Sequence, residues 1–390
     1  MGHQLHVYLD NSATTPICSE VLSAIDPYWQ QRFANPSSPH HLGVEVDREL
    51  TQCRQYLAQQ MDVAPRDLIF TASGTESNNL AIQGFTAHLR EPAHIITTAT
   101  EHASVLHVIK HLVEAGGCDA TFLPVNANGA IDISQLKQAI RPTTRLVSIM
   151  AVNNEIGTIQ PIADVGSFLA AENQQRKQQP IIFHVDGVQA IGKIPLRIKD
   201  NGIHLFTISA HKIQGPKGSG LLYCHPTVRL APIIHGGGQE GGLRSGTENI
   251  PAIVGLTKSV QLALENIQPN TERLTKLRQH LIDELATIAD VRFNSPQTGA
   301  PHIVNIQFVG VKGEVLVNFL EQQGVYVSMG AACTARKQRV SHVLQAIGLT
   351  PEQAGSSIRI SLSPTTTMEE IGYAVHWIKE SVTTIRDVYS

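Results

Sequence analysis

Short apolar runs alternate with longer stretches of helical spacing along most of the chain. Runs with the length of buried strands lie at 67–71, 94–97, 120–123, 145–152, 181–185, 203–208 and 221–223. Apolar positions with helical spacing fall at 19–30, 42–60, 80–85, 104–114, 133–140 and 249–265. Strands and helices that follow one another in this way predict an α/β unit, with a largely parallel sheet covered by helices.

The last hundred residues have a different order of elements. After a helix at 271–288, strands are predicted at 302–308, 325–327 and 357–361, with helices at 313–323 and 368–385. This order indicates a smaller α+β unit, and 390 residues exceed the size at which one core usually stops growing. We therefore expect a large domain over 16–265 and a small domain formed by 1–15 together with 266–390.

Composition narrows the classes of partner. A formal net charge of −3 gives no electrostatic footprint for nucleic acid or an anionic membrane. No apolar run is long enough to span a bilayer, and the first residues lack the features of a signal peptide. We expect a cytoplasmic protein that binds neither nucleic acid nor membrane and whose partners are small molecules or proteins.

Cysteine and histidine spacing argues against structural metal and disulfides. The five cysteines are scattered and form no C-x-x-C pair, and the histidines show no metal-binding spacing. We predict no metal, and at least one thiol that is free for chemistry.

Lys212 lies in a polar turn between the apolar runs at 203–208 and 221–223. A lysine that forms a covalent bond with an aldehyde must be partly desolvated or close to other cations, and a turn between buried strands can supply both conditions. A lone turn lysine is usually a solvated surface residue, so the prediction depends on its neighbours.

Those neighbours are polar residues at predicted strand ends, where ligands of parallel sheets collect. The turn that holds Ser73, Gly74 and Thr75 links a strand to a helix and is a candidate anion site, although ordinary helix capping also explains it. Neither a dinucleotide-binding nor a triphosphate-binding fingerprint is present. Each of the others also has a structural alternative as a cap, a turn former or a satisfied loop residue; they are His102, Asn154, Asp186, Gln189, Ser209 and His211.

Two further segments suggest loops with a function. Cys333 is surrounded by small residues and followed by three cations, a setting that favours the nucleophilic thiolate, although most cysteines are buried and inert. The glycine-dense stretch 235–247 is typical of a lid or of a loop between subunits.

Taken together, these segments resemble the NifS/IscS-type cysteine desulfurases, members of the class V aminotransferase family with the pyridoxal-phosphate (PLP) type I fold. The similarity runs over nearly the whole chain, through 8–16, 100–102, 152–157, 184–186, 211–212, 244–247, Cys333 and 356–359. It implies a large domain with a mainly parallel seven-stranded sheet covered by helices, plus a smaller α+β domain.

The resemblance also implies a role for each matching residue. Lys212 would bind the cofactor aldehyde, Asp186 would pair with the pyridine nitrogen, and His102 would stack on the ring. Gln189 would reach the phenolic oxygen, and Cys333 would be the nucleophile. The phosphate would be held by Gly74, Thr75, Ser209, His211 and, from the neighbouring subunit of a homodimer, Thr247. The substrate would be oriented by Asn35, Asn154 and Arg359, with Asn154 also at the cofactor and Arg359 gripping the carboxylate.

The implied reaction converts L-cysteine to L-alanine and leaves the sulfur on Cys333 as a persulfide. The sulfur would then pass to an acceptor protein, such as an iron-sulfur scaffold, and to other thio-cofactors. A selenocysteine lyase or an aminotransferase with the same cofactor remains an alternative. A catalytically silent sulfur carrier is a third reading, against which the intact Lys212, Asp186 and His102 argue.

Overall fold

The computed structural model describes residues 5–89, 91–177, 179–329 and 340–389. The strands of these ranges, in chain order, are β1 Val7–Tyr8, β2 Leu68–Thr71, β3 Ala93–Thr98, β4 Cys118–Leu123, β5 Thr144–Met150, β6 Ile182–Asp186, β7 Leu205–Ser209, β8 Gly220–Cys224, β9 Val291–Phe293, β10 Ile303–Phe308, β11 Val325–Tyr326 and β12 Ser357–Ser361.

The helices cover both faces of the larger sheet and build the smaller unit. They are α1 Ser19–Ile25, α2 Pro27–Gln30, α3 His41–Gln60, α4 Gly74–Asn79, α5 Phe85–Ala87, α6 Ala103–Glu114, α7 Ile133–Ala139, α8 Ile162–Gln175, α9 Ile250–Glu265, α10 Ile267–Leu285, α11 Gly313–Gln322, α12 His342–Ala346, α13 Pro351–Gly355 and α14 Met368–Tyr389.

The predicted α/β architecture is confirmed. Within the described residues, seven strands form one sheet in the order β2-β8-β7-β6-β5-β3-β4. Neighbouring strands from β7 to β4 run parallel, whereas β8 is antiparallel to both β2 and β7. The sheet is therefore mainly parallel, as the alternation of strands and helices predicts.

The register of the central strands brings their carboxyl ends to one level. Met150 of β5 pairs with Asp186 of β6, and Asp186 pairs with Thr207 of β7. Polar residues that follow these strands consequently meet at one edge of the sheet, where ligands of open α/β sheets bind.

Apolar side chains of the described residues form separate cores in the two units. In the larger unit, one cluster packs α3, α8 and α9 against one face of the sheet, and a second cluster, from residues 80–85 and α6, covers the other face. A distinct core joins β1 and β9–β12 to α10, α11 and α14.

Some observed elements differ from the predicted ones. The helix expected at 19–30 is divided into α1 and α2 because Pro27, which has no backbone N–H, starts a new helix. Residues Leu80–Gly84 form a π-helical segment between α4 and α5. The short β9 and the helices α8, α12 and α13 were not among the predicted elements. None of the described helices is long and apolar enough to cross a bilayer.

Candidate active site

A cavity of about 220 Å³ opens at the carboxyl ends of β5, β6 and β7. Ten of the predicted site residues line it: Gly74, Thr75, His102, Asn154, Asp186, Gln189, Ser209, His211, Lys212 and Arg359. Residues separated by up to 285 positions in the chain therefore share one cavity, at the sheet edge that the strand pattern predicts.

Lys212 ends a single 3₁₀ turn that follows β7. Its Nζ donates to the carbonyl oxygens of Ser12 at 2.7 Å and Ala13 at 2.6 Å. The same N-terminal segment is held to the turn by Thr15, whose backbone N–H and Oγ1 both donate to the His211 carbonyl. The amine is thus oriented by backbone acceptors within a half-buried turn.

Asp186 is a buried carboxylate at the end of β6, and no cation of the described residues forms an ion pair with it. One oxygen, Oδ2, accepts a hydrogen bond from Asn78 Nδ2 at 2.8 Å, and the other, Oδ1, accepts from the Val188 N–H at 3.0 Å. Asn78 also donates to Ser104 Oγ at 2.8 Å. An acidic group that lines the cavity and is held by neutral donors remains able to pair with a cationic ring N–H.

His102 caps the start of α6 and is held in one tautomer. Its Nδ1 accepts from the Ser104 N–H at 3.1 Å and lies 2.8 Å from Ser104 Oγ. Since Nδ1 is an acceptor, the proton of the neutral ring is on Nε2. Burial, against the opposing effect of Asp186, lowers the pKa of His102, which favours this neutral form.

The turn from β2 into α4 forms the part of the cavity that faces β7. A Cβ placed on Gly74 would lie 3.0 Å from Val188 Cγ2 and 3.3 Å from Ser209 Cβ, so glycine allows the start of α4 to approach β7 closely. His211 lies beside Thr14, 3.1 Å from Nδ1 to Oγ1. Burial, with the nearby charge of Lys212, lowers the pKa of His211 to about 3, which leaves the ring neutral.

Arg359 lies on β12 of the small unit, and its side chain lines the cavity. Its side chain is 1% exposed, and its two Nη atoms donate to Asp10 Oδ1 at 2.6 Å and to the Asn154 carbonyl at 2.9 Å. Its Nε–H has no acceptor among the described residues. A buried donor without an acceptor is costly, so a ligand carboxylate is a suitable partner for this guanidinium.

Glu101 and Asn78 are polar residues of the site that the sequence reasoning did not assign. Glu101 Oε1 accepts from the Met150 N–H at 2.8 Å and from Thr98 Oγ1 at 3.0 Å, which ties the turn before His102 to β5. Burial raises the pKa of Glu101 to about 8. A signal for Asn78 exists in the sequence, because it lies one helical turn after Gly74 and so on the same side of α4.

Two predicted residues of the described ranges, Asn35 and Thr247, do not line this cavity. Asn35 lies on an exposed loop, where its Oδ1 accepts from the Ser37 N–H at 2.9 Å. Thr247 is exposed at the end of the glycine-rich stretch. Cys333 lies outside the described residues.

The polar groups of the cavity fit PLP. The buried Asp186 suits the protonated ring nitrogen, the Lys212 amine suits the aldehyde, and the turn at Gly74 with Ser209 and His211 offers donors to a phosphate. The guanidinium of Arg359 also lines the cavity and suits the carboxylate of an amino acid.

Comparison with known proteins identifies relatives across the whole chain. The family description "Aminotransferase class-V" matches residues 7–373. A cysteine desulfurase IscS of Dictyoglomus turgidum is 40% identical over 385 residues, which are 98% of this chain and 96% of that protein. A cysteine desulfurase IscS of Methanosarcina thermophila is 41% identical over 384 residues, 98% of this chain and 93% of that protein.

Solved structures agree with these relatives. A NifS-like protein superimposes with a TM-score of 0.91 at 35% identity, over 97% of this chain and all of that one. A NifS-like protein from Rickettsia africae gives a TM-score of 0.86 at 32% identity, over 97% of this chain and 99% of that one. The chain therefore belongs to the class-V aminotransferase family, as a member of the cysteine desulfurases, which are PLP-dependent enzymes.

Proposed function

We propose that this enzyme converts L-cysteine to L-alanine and transfers the sulfur to the thiol of Cys333, with the cavity residues in the roles given below. The observation that carries the proposal is the shared cavity of Lys212, Asp186 and Arg359, an amine, a carboxylate and a guanidinium in one site. A relative with solved structure, SspA, is described in complex with cysteine; it is 35% identical and has a TM-score of 0.80 over 93% of this chain and all of that one.

PLP supplies an electron sink that accepts charge from the substrate carbon when its ring nitrogen is protonated. Asp186 holds the proton on that nitrogen, and Asn78 with the Val188 N–H holds Asp186. His102 lines the cavity with its Nδ1 occupied by Ser104, and as a neutral imidazole it would stack on the cofactor ring.

Lys212 Nζ would hold the cofactor through its aldehyde group, and as an amine in the cavity it would accept the proton that leaves the substrate Cα. The carbonyls of Ser12 and Ala13 orient this amine. An amine that is already directed loses little freedom when it reacts, which is a general source of rate enhancement. Arg359 and Asn154 orient the substrate through its carboxylate, and Asn35 contributes from its loop.

Sulfur transfer is assigned to Cys333. Its thiolate forms a bond with the substrate sulfur while the carbon–sulfur bond breaks, and the electron pair of that bond stays with the carbon skeleton, which takes up protons to become alanine. The exchange needs no external oxidant. The sulfane sulfur then passes to a thiol of an acceptor protein, for which an iron-sulfur scaffold is our proposal.

The proposal also covers the division into two domains, the location in the cell and the oligomeric state. The two apolar cores support a large domain over 16–265 and a small one over 1–15 and 266–390. We propose a cytoplasmic homodimer in which Thr247 reaches the phosphate site of the other subunit, since it is exposed and does not line its own cavity.

The test compares wild type, Lys212→Ala and Cys333→Ala, each incubated with PLP and L-cysteine. We expect wild type to show a visible absorbance band and to form alanine and protein-bound sulfane sulfur. Lys212→Ala should form neither product, and Cys333→Ala should bind PLP normally but form no persulfide. Alanine formation by Cys333→Ala at the wild-type rate would contradict the proposal. Selenocysteine as the better substrate of this variant would identify a lyase.

A further inference from the structure

A second lysine is buried behind the active-site cavity. Lys193 belongs to the loop after β6 and is 5% exposed. Its Nζ lies 3.4 Å from Gln189 Oε1, and it forms no ion pair with any carboxylate of the described residues. A buried lysine without a counter-ion is uncommon, since burial of an unpaired ammonium is costly.

Gln189 connects this lysine to the cavity. Its Oε1 faces Lys193 and also lies 3.2 Å from His302 Nε2. Its Nε2 donates to the Ser12 carbonyl at 3.1 Å, and the same carbonyl accepts from Lys212 Nζ at 2.7 Å. The amide nitrogen of Gln189 is thus on the side of Lys212, and its oxygen is on the side of Lys193.

The two partners of Gln189 Oε1, Lys193 and His302, differ in how strongly each restricts the orientation of the Gln189 amide. A neutral imidazole can either donate or accept at Nε2, depending on its tautomer, so His302 tolerates both orientations of the amide. A protonated lysine has three donors and no acceptor, so it is poorly suited to face an NH₂ group. His302 Nδ1 is buried and has no hydrogen-bond partner among the described residues, so no contact at Nδ1 selects one tautomer of the ring.

We propose that Lys193 is a positioning residue of this active site, which donates to Gln189 Oε1 and thereby directs the Gln189 amide N–H toward the cofactor. The inference rests on the proposed function, because the orientation of Gln189 matters only when PLP occupies the cavity. A donor aimed at the phenolic oxygen stabilises its anionic form. Reversal of the amide would instead present a carbonyl oxygen to that anion.

The charged surroundings of this trio are cationic. Burial, with the added effect of Lys212, lowers the pKa of Lys193 to about 7. Burial also lowers the pKa of His302, with smaller contributions from Lys193, Arg359 and Arg278. Arg359 is paired with Asp10, and Arg278 donates to the carbonyls of Pro296, Gln297 and Ile303. Because these charges lie near Gln189 and its partners, a test must separate the orientation of Gln189 from a simple effect of charge.

The experiment measures the pH midpoint of the visible absorbance band of bound PLP in four proteins: wild type, Lys193→Met, Gln189→Ala and the double variant. Loss of the donor makes the phenolic oxygen more basic, so we expect Lys193→Met to raise the midpoint by roughly 0.5 to 1 pH unit. If Lys193 acts through Gln189, its substitution should cause no further shift when Gln189 is already alanine. An equal shift in both backgrounds would identify a charge effect and overturn the proposal, as would an unchanged midpoint in Lys193→Met.

Controls separate this role from folding and from the proposed function. Lys379→Met removes a lysine that forms a partly exposed ion pair with Glu284 on the small unit, away from the cavity, and it should keep the wild-type midpoint. Lys193→Arg keeps donors and charge, so it should restore the wild-type midpoint, and it carries the test if Lys193→Met does not fold. A folded Lys193→Arg protein with the midpoint of Gln189→Ala would overturn the proposal. Absence of any visible band in wild type would refute the proposed function itself.

Discussion

The amide of Asn78 connects two functional parts of the cavity. One of its N–H groups binds Asp186 and the other binds Ser104, which in turn holds His102 in its neutral tautomer. The positions of both Asp186 and His102 therefore depend on one neutral side chain. Buried networks of this kind fix geometry only while every member is satisfied.

We predict that Asn78→Ala weakens PLP binding roughly tenfold, about 1.4 kcal/mol, because Asp186 loses a buried donor. Titration of the apoprotein with PLP, followed by visible absorbance, measures the effect. Asn79→Ala is the matched control, since the Asn79 side chain contacts the Thr75 carbonyl and Gln83 instead. Equal affinities of the two variants would show that Asn78 does not support the site.

Glu101 predicts a dependence of stability on pH. Its pKa is raised by burial from 4.5 to about 8, so between these values the folded protein keeps a proton that the unfolded chain releases. The contribution of Glu101 to the free energy of unfolding is fully present below about pH 4.5 and is lost as the pH rises toward 8. Glu101→Gln does not titrate, and wild type should therefore lose a few kcal/mol relative to this variant between about pH 5 and pH 8. Urea unfolding at the two pH values measures it, and parallel changes in both proteins would contradict the prediction.

At the level of secondary-structure elements, the Glu240 carboxylate anchors the glycine-rich segment 235–247 to strand β2. Glu240, whose side chain is 3% exposed, accepts from Arg54 Nη2 at 2.6 Å, from Arg54 Nη1 at 3.0 Å and from the Phe70 N–H at 2.9 Å. Gly241 and Gly242 follow with φ of 65° and 82°, values that other residues rarely adopt. The segment that carries Thr247 thus has an anchor and a sharp turn rather than a regular element.

Glu240→Gln should lower the free energy of unfolding by about 2 kcal/mol, because a buried bidentate pair loses its charge. The control is Glu49→Gln, which weakens a more exposed ion pair: the Arg32 side chain is 51% exposed and that of Glu49 31%. This variant should lose no more than about 0.5 kcal/mol of the free energy of unfolding. Urea denaturation of both variants gives the values. Similar losses would mean that the buried pair does not anchor this segment.

At the scale of the whole molecule, the N-terminal segment joins the two cores at the cavity. The Asn11 side chain donates to the Ser361 carbonyl at 2.9 Å, and the Ser12 N–H donates to Ser361 Oγ at 2.8 Å. The carbonyl of Ser12 accepts from Lys212 and Gln189. Any shift of the small unit relative to the sheet is consequently transmitted to the groups that orient the amine.

Mixed dimers test the proposal that Thr247 acts across subunits. Lys212→Ala and Thr247→Val proteins should each be strongly impaired. A heterodimer would contain one intact site, since the subunit with Lys212 receives Thr247 from its neighbour. Random reassociation of equal amounts should restore about a quarter of the wild-type rate of alanine formation. No recovery, with heterodimers verified by affinity tags, would place Thr247 in its own subunit's site, and an active Thr247→Val homodimer would place it outside any site.

The sequence alone determined the alternation of strands and helices, the mainly parallel sheet and the residues at its strand ends. Apolar periodicity and turn chemistry are local properties, so they place Asp186, His102 and Lys212 at predicted strand ends and turns before any contact is known, whereas their roles come from the family resemblance. Only the tertiary structure decided how these residues are held. Asn78 meets Asp186, Lys193 and His302 meet Gln189, and Arg359 meets Asp10. Most of these partners are more than a hundred positions apart, and their protonation depends on burial, which no local pattern encodes.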